Sequence, residues 1–439
     1  MKSQPLLGLA LGCIFAAVGG QWFWSIVFRQ EYPVFESVFA LVAGAVLIFI
    51  FSITTLRVWP GAVHALHGVM LLMLIFLVYR IVKPHLGAEA ISVSSKVALV
   101  VMALLMAIGA AFNWRRTNWD RFCTASIVFG VIFIASFPLV GISQRMEGTA
   151  VFGLSFLARQ DDQPENIVVL LLDELSPESS GLIVDALRQR NASTYATDIA
   201  AAGFNTLNAI PAMLTGQRFD YSMPCGVTLL CSDGKSLDFS KLRVTGRAVD
   251  IVGILPAYCA IQGLRSCVSI HPETAVPALQ SLTCELLRSL FVNACKSNLA
   301  DDRGKEIAAN RKAVEESIMK APFWENGGLL YAHVLLPHPV GLSSKLSLEQ
   351  EYQANVVESA KLASQILERL TSRFKDNFVF VLTSDHPLRV DFHCRFSPYS
   401  RENCKTGLPE NRGRVPFILV HSEPIYKPVI KSAAGLLAR

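Results

Sequence analysis

Charge is scarce in this sequence, and its scarcity is uneven. Of 439 residues only 17% are charged against 52% that are apolar, and the mean hydropathy is +0.40. That balance excludes an ordinary soluble protein and places part of the chain in lipid. There is no Lys/Arg block and no basic stripe with interleaved aromatics, and a net charge of +5 is modest for the length, so nucleic acid is not an expected partner. No CxxC spacing occurs, which argues against a zinc ribbon. No internal repeat or low-complexity tract is found, and no small-residue cleavage site follows the first apolar stretch, so that stretch reads as a span rather than a signal peptide.

The apolar excess gathers near the N-terminus in five uncharged stretches: Leu6 to Phe28, Ser37 to Leu56, Gly61 to Tyr79, Val97 to Trp114 and Phe122 to Gln144. Each is long enough to cross a hydrocarbon core of about 30 Å as a helix. Lys2, Arg57, Arg115, Arg116 and Arg121 fall on one side of the bundle, against Arg29, Arg80, Lys83 and Lys96 on the other, with the tightest cluster on the first side. Taking that side as cytoplasmic, an odd number of spans delivers the rest of the chain outside. The expected organisation is a transmembrane domain over 1–145, a linker over 146–165 and an extracytoplasmic domain over 166–439.

The cysteines point the same way. Cys13 and Cys123 lie in expected spans, and the other eight, Cys225, Cys231, Cys259, Cys267, Cys284, Cys295, Cys394 and Cys404, fall into four sequence-local pairs. Such pairs suit a disulfide framework in an oxidising compartment.

Past the linker, Asn166 to Leu172 is a continuous apolar run with the length and β-branched content of a strand buried on both faces, as in a mostly parallel sheet. Similar runs recur at Gly328 to Leu336, Phe378 to Leu382 and Val415 to Val420, with helical patterns over Ser179 to Arg190 and Leu348 to Phe374 between them. Alternation of this kind predicts an α/β domain, with its chemistry at the carboxyl ends of the strands. The cysteine-rich middle, Tyr221 to Cys295, has poor periodicity and reads as an excursion from the sheet.

Chemistry-bearing residues collect at those strand ends. The first strand stops in Asp173-Glu174, two carboxylates of the kind divalent cations need, although an Asp there can also cap the next helix. The strand Phe378 to Leu382 runs into Thr383-Ser384-Asp385-His386, offering one oxygen and one nitrogen ligand from a rigid edge and suiting Zn²⁺ or Mn²⁺. Thr206 opens a helix-like segment that ends in Thr215-Gly216. A hydroxyl so placed is either an N-cap or a nucleophile favoured by the helix dipole. His333 and His338 follow the strand beginning at Gly328, where an imidazole can bind a second metal, protonate a leaving group or hold an anionic oxygen.

Taken in order, Asp173-Glu174, Thr206 with Gly216 ten residues on, His333 with His338, Ser384-Asp385-His386 and Arg414-Val-Pro416 resemble the alkaline phosphatase/sulfatase superfamily, over Asn166 to about Ser422. With five spans and local disulfides, the chain is similar to the membrane-bound phosphoethanolamine and phosphoglycerol transferases. That resemblance implies a sulfatase-like domain in which Glu174, Thr206, Asp385 and His386 hold Zn²⁺ or Mn²⁺, with Asp173 a further ligand and Thr206 the nucleophile. It implies double displacement through phospho-threonine, with His338 and His333 stabilising phosphoryl oxygens or the leaving group and His393 next in rank. The implied donor is a membrane phospholipid, the acceptor an envelope glycan or lipid, and the location the bacterial inner membrane, with the catalytic domain in the periplasm.

The sequence also departs from that family. No Cys/Ser-x-Pro-x-Arg stands at Thr206, which excludes formylglycine chemistry. Pro387 follows His386 where relatives have Gly, and Leu336-Pro337-His338 replaces Gly-Ser-His. No Asp-x-x-x-His follows His338 to complete a second metal site. Two other readings therefore stand beside the transferase: a hydrolase on the same scaffold, and an inactive partner of an envelope synthase.

Overall fold

The computed structural model describes residues 4–28, 34–59, 62, 63, 66, 67, 69, 70, 120–128, 150–152, 154, 166–190, 193–232, 235–254, 256–269, 299–340, 346–396, 407, 408, 413–421 and 430–438. The first two expected spans are helices, α1 (Gln4–Phe28) and α2 (Val34–Val58), each of 25 residues and so about 37 Å long. They pack against each other where Gly8 and Gly12 leave room. A Cβ on Gly8 would stand 3.1 Å from the Phe49 ring, and one on Gly12 would stand 3.2 Å from the Ala45 carbonyl oxygen. Small residues four apart allow this close approach of two apolar helices. The opposite side of α2 exposes Val42, Val46, Leu47, Ile50 and Phe51, an apolar face that suits lipid. Among the described residues one window, Leu41–Val58, is long and apolar enough to cross a membrane. The span expected over Val97 to Trp114, and most of those over Gly61 to Tyr79 and Phe122 to Gln144, lie outside the described residues.

The second part of the chain is built on a seven-stranded sheet. Its strands in chain order are β1 (Asn166–Asp173), β2 (Ser193–Ala200), β3 (Val249–Gly253), β4 (Ser266–Ser269), β5 (Gly328–Pro337), β6 (Phe378–Ser384) and β7 (Arg414–His421). They lie side by side as β2-β7-β6-β1-β5-β3-β4. β7 pairs antiparallel with both neighbours, and every other pairing is parallel. The α/β expectation of a mostly parallel sheet with flanking helices is met.

β1 lies at the centre because both of its faces are apolar. Val168, Leu170 and Leu172 pack with Tyr352, Val356, Ala363 and Ile366 of helix α6 (Leu348–Phe374), while Ile167, Val169 and Leu171 pack with Ala209, Ile210 and Met213 of helix α4 (Thr206–Thr215). Helix α3 (Gly181–Arg188) lies on the α6 side, as does α5 (Leu299–Lys320) through Val314 and Ile318. A capping box between Ser347 and Gln350 fixes where α6 begins.

Two expectations are corrected by the structure. The cysteine-rich middle does not leave the sheet throughout, because Val249–Gly253 and Ser266–Ser269 form its far edge. Among the described residues of this middle, Met223–Pro224, Leu229–Ser232 and Lys235–Asp238 form a separate three-stranded sheet, and Arg243–Val244 pairs with Ala150–Val151 in a two-stranded one. The linker also begins to pack before the sheet starts: Val151, Phe152 and Leu154 are buried in its core, and the Phe152 ring lies 5.1 Å from that of Tyr331.

Disulfides join Cys225 to Cys231 and Cys259 to Cys267, with Cα separations of 5.8 and 5.4 Å, and Cys394 is also disulfide-bonded. Cys13 and Cys123 are free thiols. Cys284, Cys295 and Cys404 lie outside the described residues.

Candidate active site

The carboxyl ends of β1 and β6 are neighbours because these strands pair in register from Asn166 with Phe378 to Leu172 with Ser384. The turns leaving them are tied together. Ser384 Oγ accepts from the Leu175 amide at 2.9 Å and donates to the His386 carbonyl at 2.8 Å. Tyr352 of α6 donates to the Glu174 carbonyl and accepts from the Ser176 amide, each at 3.0 Å. Glu174 needs these restraints, since its φ of +66° is the left-handed conformation that L-residues avoid. Such backbone strain persists only where surrounding structure over-determines it. The twist turns Asp173 and Glu174 to different partners.

One oxygen of Asp385 is occupied and the other is not. Oδ1 accepts from the His386 amide at 2.8 Å and from the Glu174 amide at 3.4 Å, while Oδ2 is buried without a partner, as is Oδ1 of Asp173. His386 Nε2 lies 3.4 Å from that Asp385 oxygen, 3.5 Å from that Asp173 oxygen and 3.4 Å from the Thr206 hydroxyl. The other ring nitrogen, Nδ1, is 3.1 Å from the Pro387 carbonyl. A carbonyl only accepts, so Nδ1 carries the proton and Nε2 presents a lone pair. When both carboxylates are ionised, two carboxylate oxygens and an imidazole lone pair, all acceptors, converge with the threonine hydroxyl as the one donor near them among the described residues.

Burial pushes Asp173 well above the usual carboxylate range and Asp385 up to about 7, and it pushes His386 down to about 3. Such a cluster fits a divalent cation, which satisfies every lone pair at once. A ring nitrogen of His333 joins the group, within 4.8 Å of Asp173 and Asp385.

Thr206 enters from the opposite side of the sheet, at the N-terminus of α4, where Asn205 caps the helix by accepting from the Asn208 amide at 3.0 Å. Thr206 therefore stands one residue past the cap. It is partly exposed, whereas Asp173, Asp385 and His386 are buried. Gly203 makes the placement possible: a Cβ there would lie 2.6 Å from the Ala209 amide nitrogen, so only glycine lets the chain fold back against the helix.

Glu174 belongs to a second cluster. Its carboxylate accepts from Arg389 Nε at 2.6 Å and meets His393 Nε2 at 2.6 Å. His338, Glu174 and His393 each offer a ligand atom within 4.8 Å of the others, and the two imidazoles stand edge to face at 5.1 Å. Burial raises the Glu174 carboxyl, but His338, Arg389 and His393 together hold it well below the ordinary range. Burial pushes His338 down to about 4. Arg311 of α5 holds the backbone that carries His338, donating to the carbonyls of Leu335 and His338 at 2.8 and 2.6 Å. The sequence reading assigned Glu174 to the same ion as Thr206, Asp385 and His386. The structure instead turns its carboxylate toward Arg389 and His393, and Asp173 meets His386 Nε2, the nitrogen that Thr206 also approaches.

Comparison with known proteins was made at three levels. No family model matches the chain, and no curated protein matches it. Among solved structures, the chain resembles the lipooligosaccharide phosphoethanolamine transferase EptA of Neisseria meningitidis, at 12% identity and a TM-score of 0.38 over 95% of this chain and 88% of that one. It also resembles the lipoteichoic acid synthase LtaP of Listeria monocytogenes, at 13% identity and 0.34 over 62% and 70%. A third likeness is to an alkaline phosphatase superfamily protein of Vibrio parahaemolyticus, at 14% and 0.32 over 62% and 63%. At such identities and scores the likeness says nothing of the chemistry, which follows from the side chains themselves.

Arg389, Tyr352 and Tyr258 had no signal in the sequence reading. Arg389 stands three residues past Ser-Asp-His and could have been sought as a counter-charge for Glu174. The tyrosines reach the site from distant elements, and no spacing rule finds them.

Proposed function

We propose that this protein is a membrane-embedded, cation-dependent enzyme that moves a phospho-substituent, phosphoethanolamine or phosphoglycerol, from a phospholipid to an envelope lipid or glycan through a phospho-threonine at Thr206. The observation that carries the reading is the convergence of Asp173 Oδ1, Asp385 Oδ2 and His386 Nε2 around the Thr206 hydroxyl. Asp173, Asp385 and His386 would hold Zn²⁺ or Mn²⁺, with Thr206 at its open side. When bound, the cation supplies Lewis acidity and a lowered hydroxyl pKa.

Thr206 presents its oxygen at the first turn of α4, where the helix dipole favours a developing negative charge. Its attack on phosphorus forms the Thr206 Oγ–P bond and breaks the bond to the diacylglycerol oxygen, which leaves with a proton. An acceptor hydroxyl then takes the group and frees Thr206. The Arg389, His393 and His338 cluster lies next to this centre and would hold the substituent's anionic oxygens. The apolar α1 and α2 suit a site that draws its donor from a bilayer. The location that goes with this is multi-pass in a bacterial inner membrane, with the catalytic domain in the periplasm, and the local disulfides fit such an oxidising compartment.

The test is incubation of the full chain in detergent with Zn²⁺ or Mn²⁺ and mixed micelles of phosphatidylethanolamine or phosphatidylglycerol. The transferase reading expects diacylglycerol release that depends on the cation, is lost in Thr206→Ala and is stimulated by an acceptor. Release of free phosphoethanolamine or glycerol phosphate at the same rate with and without acceptor would replace the transferase with the hydrolase. No release from either lipid with either cation would refute both.

A further inference from the structure

His333 sits on β5 with no exposure, and its two ring nitrogens have opposite surroundings. Nδ1 is 3.0 Å from the Tyr258 hydroxyl, and the ring also hydrogen-bonds the Ile254 carbonyl. Nε2 is buried and has no partner. A proton on Nδ1, given to the Tyr258 hydroxyl or to a carbonyl, leaves Nε2 a bare lone pair. A nitrogen without a proton cannot donate to a phosphoryl oxygen, but it can ligate a cation.

His333 also stands in the right place, with a ring nitrogen within 4.8 Å of a carboxylate oxygen of Asp173 and one of Asp385, and each of these carboxylates has one buried oxygen without a partner. What aims the ring is Tyr258, whose hydroxyl is shared with that of Tyr331 at 2.9 Å. The Tyr258 ring packs edge to face on Tyr331 at 5.3 Å and on Phe239 at 6.3 Å. Gly253, at the end of β3, leaves space for it: a Cβ there would lie 3.0 Å from the tyrosine ring and 3.7 Å from the His333 Cβ. The short turn Tyr258–Ala260 is then fastened to β4 by the Cys259–Cys267 disulfide. The bridge, the tyrosine and the histidine form one continuous chain of contacts from the sheet edge to the cation site.

We propose that His333 is a further ligand of the cation held by Asp173, Asp385 and His386, and that Tyr258, fastened by the Cys259–Cys267 disulfide, is the residue that positions it. This inference rests on the cation reading given above. The disulfide would then set the geometry of a site it does not touch. A histidine ligand whose other nitrogen is tied to a carbonyl or hydroxyl is a common way for proteins to orient metal ligands, and loss of such a partner weakens binding by about 10- to 100-fold.

The experiment is Zn²⁺ competition against a chromophoric chelator, on the full chain in detergent, with the Co²⁺ absorption spectrum as a second readout. The variants are Asp385→Ala, His333→Ala, Tyr258→Phe, Gly253→Ala and the double variant Cys259→Ser/Cys267→Ser. The expected result is a loss of affinity of more than about tenfold in His333→Ala, with a changed Co²⁺ spectrum. Tyr258→Phe, Gly253→Ala and the cysteine double variant should each lose about tenfold, with the metal-free Tyr258→Phe protein still unfolding in one cooperative transition. If Asp385→Ala binds Zn²⁺ as the wild type does, the cation reading itself fails. If Asp385→Ala loses binding while His333→Ala keeps both wild-type affinity and spectrum, only the proposal for His333 is overturned. Should His333→Ala weaken binding and Tyr258→Phe not, the positioning role of Tyr258 is overturned.

Discussion

His386 Nε2 stands 3.5 Å from Oδ1 of Asp173, and no donor other than the Thr206 hydroxyl, 3.4 Å from the same nitrogen, is near to reconcile the two acceptors. The two residues are 213 positions apart in the sequence yet adjacent in space, because β1 and β6 pair in register. A cation between them accounts for why three buried acceptors share one space.

That account fixes a pH dependence. In the metal-free protein Asp385 titrates at about 7 and Asp173 above the ordinary carboxylate range, whereas His386 is unprotonated above about 3. A cation needs both carboxylates ionised, so binding releases their protons. Apparent Zn²⁺ or Mn²⁺ affinity should therefore rise with pH up to and through about 7, by about one decade per pH unit for each proton displaced. Calorimetric titration in two buffers of different ionisation enthalpy measures the release. An affinity that is flat from pH 5.5 to 8 contradicts it.

The separation of Asp173 from Glu174 gives a second expectation. Asp173→Asn should weaken cation binding by more than about a hundredfold, while Glu174→Gln, which keeps a partner for Arg389, should leave it within about threefold. Turnover should still fall in Glu174→Gln, because the Arg389, His393 and His338 cluster loses the charge that organises it. Equal loss of affinity in the two variants would restore Glu174 as a ligand of the same ion.

Much of this arrangement was legible beforehand. A strand buried on both faces must be an unbroken apolar run, so Asn166 to Leu172 declared itself, and the α6 boundaries at Leu348 and Phe374 followed from an amphipathic pattern. Strand ends that carry Asp, His and Thr were read as chemistry for the same reason. By contrast, Ser193–Ala200 is an edge strand with mostly partly exposed or exposed positions, and its polar alternation gave no apolar run to find. Val249–Gly253 and Ser266–Ser269 were hidden among disulfide-bonded loops. Which of Asp173 and Glu174 meets His386 Nε2 and which meets Arg389 was also beyond reach, because it depends on the positive φ of Glu174 and on Tyr352, 178 residues away in the chain.

Tyr352 supplies a third expectation. Its hydroxyl serves both the Glu174 carbonyl and the Ser176 amide in a buried turn, so Tyr352→Phe leaves two backbone groups unpaired at a cost of about 1–3 kcal/mol. Chemical denaturation of the metal-free protein should show that loss, together with reduced turnover as the Asp173-Glu174 turn relaxes. Unchanged stability would mean that the turn is held by Ser384 and Asp385 alone.

The most direct test is peptide mass spectrometry of the full chain after incubation with Zn²⁺ or Mn²⁺ and phospholipid, in wild type, Thr206→Ser and Thr206→Ala. The account predicts a phospho-substituent on residue 206 in the first two and none in Thr206→Ala, whose turnover should drop roughly a thousandfold or more. The adduct's mass would name the group transferred. A bare Thr206 in a preparation that still turns over substrate, or an undiminished rate in Thr206→Ala, would contradict it.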